Sequence, residues 1–144
     1  MKNILVAVDF DSNTQPLIEQ ALLISEKFNS KVWLVHIAEP SPDFVGFDVG
    51  PQYIRDSKAS ELREEHKMIQ EHAQKFTNHG IDAEGLLVQG ATDEMILIET
   101  NKLNIDLVIL GHKKQGMLYR MFVESTGTTI INESKVPVLI VPLE

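Results

Sequence analysis

Apolar positions along the chain follow two periods. NILVAV at residues 3–8, KVWLVHI at 31–37 and VPVLIV at 136–141 are short, nearly continuous apolar runs. The segment 82–89, centred on GLLV, and Ile105–Leu110 are of the same kind. Runs of this length, rich in β-branched residues and bounded by Gly, Asn and Asp, read as buried strands. Between them the period lengthens. Leu17, Ala21, Ile24 and Phe28 form one helical stripe, with Asn13 or Thr14 available as a cap and Pro16 in the first turn. Asn29 and Ser30 stop that helix. Residues 57–78 read as a second helix, with Leu62, Met68, Ile69, Ala73 and Phe76 turned inward and a charged outer side, ended by Gly80. After a turn at Gly90 and Ala91, Thr92 caps a third helix. Asp93 and Glu94 sit in its first turn, where negative charge meets the helix dipole, and Met95, Ile96 and Ile98 form its apolar side. A fourth helix is expected over Ser125–Glu133. Residues 38–56 show neither period; with Pro40, Pro42, Gly46, Gly50, Pro51 and the aromatics Phe44, Phe47 and Tyr53, they read as a long connection of the kind that often covers a site.

Five strands thus alternate with four helices. Near-continuous apolar strands belong to a parallel sheet covered on both faces. With right-handed crossovers, the expectation is one doubly wound α/β domain over residues 1–144: a mostly parallel five-stranded sheet with helices on both faces, Rossmann-like in architecture. Pro137 lacks an N–H donor, which puts the last strand at an edge. A bare VLIV edge invites pairing, so a homodimer through residues 136–141 is expected.

Composition narrows the chemistry. A chain of 144 residues with no cysteine excludes disulfides, thiolate nucleophiles and cysteine-type zinc sites, and fits a reducing compartment. Met1 leads straight into the first apolar run without the layout of a secretory signal, and no apolar stretch reaches the ~18 residues of a membrane span. A cytoplasmic protein without membrane attachment is expected. The formal charge of −8 disfavours nucleic acid as a partner; Lys113, Lys114 and Arg120 form only a small basic patch.

Ligands of such a sheet bind beyond the carboxyl ends of its strands. The candidate ends are Asp9–Asp11, His36–Glu39, Gln89–Thr92 and Gly111–Gly116. Asp9 offers an acceptor for a ribose hydroxyl or a base amine, or else caps a helix or closes an Asx-turn. DFDSNT departs from the aspartate-nucleophile phosphatase pattern, with Asn13 where that pattern has Thr. His36 reads first as a satisfied structural histidine. His66, His72, His79 and His112 lack acids at metal-ligand spacing. Ser125 is outside any G-x-S-x-G elbow. Gly111 and Gly116 have the outer spacing of a P-loop, but Met117 stands where its lysine belongs, and no G-x-G-x-x-G follows the first strand. What remains is phosphate held by the amides of a glycine-bearing turn and a helix start, with hydroxyls from Ser125, Thr126 and Thr128. The competing reading is a solvated connection with helix caps.

The chain resembles the universal stress protein family over nearly its whole length. The resemblance is carried by KNILVAVDFD, KVWLVHI with its long following loop, VQGATDEMI, DLVILGHKKQG and SKVPVLIVP. It implies a doubly wound fold, a dimer through the final strand, a cytoplasmic stress-response role and, in one branch, ATP binding. Carried over residue by residue, it places Asp9 and Ile37 beside adenosine, with Val88 and Gly90 lining that side, and gives Gly111 and Ser125 to the phosphates. The implied contact set is Asp9, Phe10, Ile37, Val88, Gly90, Gly111, His112, Lys114, Gly116, Ser125 and Thr126. Two family glycines are replaced, by Lys114 and Glu124. Glu124 brings negative charge to the triphosphate; two unit charges about 4 Å apart repel by roughly 4 kcal/mol at an effective dielectric near 20. The implied ligand is ATP or AMP, with Mg²⁺ accompanying a triphosphate. Three functions stay open: a nucleotide-gated stress-response dimer without efficient turnover, a slow ATP-hydrolysing enzyme, and a nucleotide-independent interaction or signalling dimer.

Overall fold

The computed structural model describes residues 1–10, 13–38, 52–112 and 126–143. The apolar runs become β1 (Asn3–Ala7), β2 (Lys31–Ala38), β3 (Ala83–Gln89), β4 (Leu107–His112) and β5 (Val138–Pro142). The helices between them are α1 (Gln15–Phe28), α2 (Gln52–Thr77), α3 (Thr92–Lys102) and α4 (Thr126–Glu133). All pairings are parallel, in the order β3-β2-β1-β4-β5. β5 is an edge strand, as expected.

Side chains alternate across the pleat, so β1 feeds two cores. Ile4, Val6 and Val8 point to one face, where Leu17, Ile18 and Ala21 of α1 and Ile69, Ala73 and Phe76 of α2 cover them. Leu5 points to the other, with Val35 and Val108, under Ile96 of α3 and Ile130 of α4. The architecture is therefore the doubly wound α/β sheet expected, and it is parallel throughout.

Several local expectations are corrected. β2 runs through Ala38 and α2 begins at Gln52, so the connection is shorter than 38–56; Phe44 and Phe47 lie outside the described residues. Phe28 is 58% exposed and Ile98 45%, so neither belongs to its helix's core stripe. Ser25 takes the inward position in α1, its hydroxyl donating to the Ala21 carbonyl at 2.6 Å. That back-bond satisfies a buried hydroxyl which the apolar count overlooks. The N-cap of α3 is Ala91 rather than Thr92. β5 starts after Pro137, which has no N–H to give the ladder, and runs through Pro142, which still pairs with His112.

Candidate functional site

The helix after β1 lies on one face and the helix after β4 on the other. A crevice therefore opens beyond the carboxyl ends of β1 and β4. The β1–β4 register closes with Val6 opposite Ile109, and Asp9 and His112 each stand three residues past that pair. His112 is held in place from the other side: it pairs with Pro142, and its carbonyl accepts the Leu143 N–H at 2.8 Å. Further along the same edge, Ile37 pairs with Val88, and both pack on the α3 side of the sheet. Gly90 closes the row, its N–H donating to the Ala38 carbonyl at 3.1 Å.

Both glycines at this edge answer to packing. A Cβ on Gly111 would lie 2.7 Å from Leu143 Cδ1. A Cβ on Gly90 would lie 2.6 Å from Met95 Cγ, and φ there is +147°, a value that favours glycine.

Phe10 goes to the opposite side of the sheet from Ile37 and Val88. Its ring lies between two histidines, 4.2 Å from His36 and stacked 6.0 Å from His72, centroid to centroid. His36 Nδ1 is 2.8 Å from the Val8 carbonyl oxygen. A carbonyl only accepts, so Nδ1 carries the proton and donates. His36 Nε2 faces Glu65 Oε2 of α2 at 3.4 Å. Burial, and to a lesser extent Lys75, hold His72 below the usual histidine range, while Glu71 opposes them. Its Nδ1 has no hydrogen-bond partner among the described residues.

Among the sequence-derived candidates, Asp9, Ile37, Val88, Gly90, Gly111 and His112 thus line one edge, and Phe10 is turned away from the Ile37–Val88 pair. Lys114, Gly116 and Ser125 lie outside the described residues, and Thr126 is the first residue of α4. Glu65 and His72 entered no sequence-based site. Their spacing on the Ile69, Ala73 and Phe76 stripe of α2 is the signal that places them inward. No group of three or more potential metal ligands occurs among the described residues, and no helix there is long and apolar enough to cross a membrane.

The sequence pattern of the universal stress protein family matches residues 1–142. The chain belongs to that family. Universal stress protein A of Yersinia pestis is 30% identical over 147 aligned positions, covering 99% of this chain and 92% of that protein. Among solved structures, a universal stress protein in complex with cAMP superposes with a TM-score of 0.67 at 18% identity, covering 99% of this chain and 98% of the other. The universal stress protein from Archaeoglobus fulgidus in complex with dAMP gives 0.65 at 14%, with 98% of both chains covered. At such identities these two universal stress proteins establish a shared fold.

Proposed function

We propose that this universal stress protein binds an adenine nucleotide at the carboxyl edge of its sheet and acts in the cytoplasm as a dimeric stress-response protein without efficient turnover. The observation that carries the reading is that Asp9 and His112 each follow the last β1–β4 pair by three residues at the switch in strand order, with the apolar Ile37–Val88 pair further along the same edge. An acid beyond the end of β1 suits a ribose or base donor, and the aliphatic pair suits the face of a purine. The neighbours' cAMP and dAMP are further support. AMP is favoured over ATP, because the family resemblance puts Glu124, which lies outside the described residues, at a glycine position of the phosphate turn, where its charge would oppose a triphosphate. Any Mg²⁺ enters with a triphosphate, on its own oxygens. Mass spectrometry of the ligand released by denaturing freshly purified protein tests this reading. Near-stoichiometric AMP or ATP supports it. A protein that is empty and takes up neither on addition overturns it.

A second reading, the nucleotide-independent interaction dimer, is favoured by one observation. Gly90 and Gly111 are both accounted for by Met95 and Leu143, so neither glycine needs a ligand to explain it. The dimer itself rests on the sheet edges. On β3, the Gly85 carbonyl is occupied by Gln70 Nε2 of α2 at 3.0 Å. On β5, Ile140 is 39% exposed. Pairing through β5 covers that residue.

A further inference from the structure

We infer that His36 is a positioning residue for Asp9, through its hydrogen bond to the Val8 carbonyl. The inference rests on the proposed reading of Asp9 as a nucleotide contact. The regular β1–β2 pairing ends with Ala7 opposite Val35, and one more backbone bond follows, from the Val8 N–H to the Val35 carbonyl at 2.9 Å. Beyond it the chain must leave the sheet and still present Asp9 at a fixed place. The Val8 carbonyl belongs to the very peptide that links Val8 to Asp9, and His36 Nδ1 holds it at 2.8 Å. Val8 is therefore gripped at both its N–H and its C=O, the first by backbone and the second by a side chain.

The imidazole is itself held from two sides. Its position on β2 sets its root and the Phe10 ring packs on its face, while Glu65 Oε2 stands 3.4 Å from Nε2 without a hydrogen bond among the described residues. With only 12% of the His36 side chain exposed, water is a poor competitor for the Val8 carbonyl. In metal sites the loss of an outer hydrogen-bond partner that orients an inner group costs roughly ten- to a hundredfold in affinity, which sets the scale expected here.

The test separates the two ring nitrogens. The Nδ2 of asparagine takes nearly the place of Nδ1, whereas the Nε2 of glutamine takes nearly the place of Nε2. His36→Asn therefore preserves the donor to Val8, and His36→Gln preserves only the group facing Glu65. His36→Leu preserves neither. AMP affinity by calorimetry is read beside the hydrogen exchange of the Asp9 and Phe10 amides in the ligand-free protein. The expected result is near-normal affinity and exchange in His36→Asn, with roughly tenfold weaker AMP binding and faster exchange in His36→Gln and His36→Leu. Equal behaviour of the Asn and Gln variants, whether both normal or both impaired, overturns the inference, because the Nδ1 bond is then not what matters. If the unaltered protein takes up no AMP, the nucleotide reading fails separately. Exchange at Asp9 and Phe10 then still decides whether His36 fixes this peptide. Should His36→Leu fail to fold, the Asn and Gln pair carries the comparison.

Discussion

At the scale of single residues, the close approaches around glycine separate packing constraints by what must yield. A Cβ on Gly85 would lie 2.8 Å from the Ile69 carbonyl oxygen, which belongs to the backbone of α2. A Cβ on Gly111 would instead meet the end of the Leu143 side chain, which can turn. Gly85→Ala is expected to cost about 1–3 kcal/mol, and Gly111→Ala less, in urea melts. The Gly111→Ala loss should largely vanish in a Leu143→Ala background, the coupling expected of groups in contact. If it persists there, Leu143 is not its cause. At the phosphate turn that the family resemblance implies, Glu124→Gly removes a negative charge, so under the proposed reading ATP should bind more tightly, by roughly tenfold for each 1.4 kcal/mol recovered. Unchanged ATP affinity in calorimetry removes this account of the preference for AMP.

At the scale of elements, α2 carries a pH signature. His72 is held below its ordinary value of 6.5. As pH falls, the unfolded chain therefore takes up this proton before the native protein does. Its contribution to stability is intact above the unfolded value and is lost as pH falls through the native one. His72→Phe keeps a ring against Phe10 and removes the proton site. The drop in stability between about pH 7.5 and 5.5 should be smaller in that variant than in the parent. An identical drop would assign the effect to other groups. The same helix shows what was legible in the sequence. Ile69, Ala73 and Phe76 were readable because an apolar stripe follows the helical period. Its start at Gln52 was not readable, because prolines and glycines just before it mimic a continuing loop. Phe28 and Ile98 fit the stripe rule and are nonetheless exposed, since periodicity gives a face but not how far the neighbouring layer extends. For the site, Asp9, Ile37 and Gly111 were legible from strand ends. Glu65 and His72 were not, because they reach the Phe10 side from a helix remote in sequence. Packing by Leu143 and Met95 was equally hidden, since glycine spacing does not say what a glycine makes room for.

At the scale of the whole molecule, the two sheet edges are unequal, and the proposed dimer rests on that inequality. Ile140 is 39% exposed on β5, whereas α2 reaches the β3 edge through Gln70. Ile140→Lys should shift the protein from dimer to monomer in sedimentation at micromolar concentration, with its melting behaviour as a single chain retained. A parent protein that sediments as a monomer removes the dimer altogether. Strand order has one more consequence, which concerns how the protein is made. β1 lies in the middle of the sheet, yet its second neighbour is β4, with Ile4 paired to Leu107. At ribosomal rates the intervening stretch takes on the order of 5–20 seconds to synthesise. By the end of that interval a growing chain has β1, β2 and β3 with α1 and α2, but one flank of its innermost strand is still without a partner. Nascent chains are thus most vulnerable to sticking to one another before Leu107 emerges, and early engagement by a chaperone has its greatest value there.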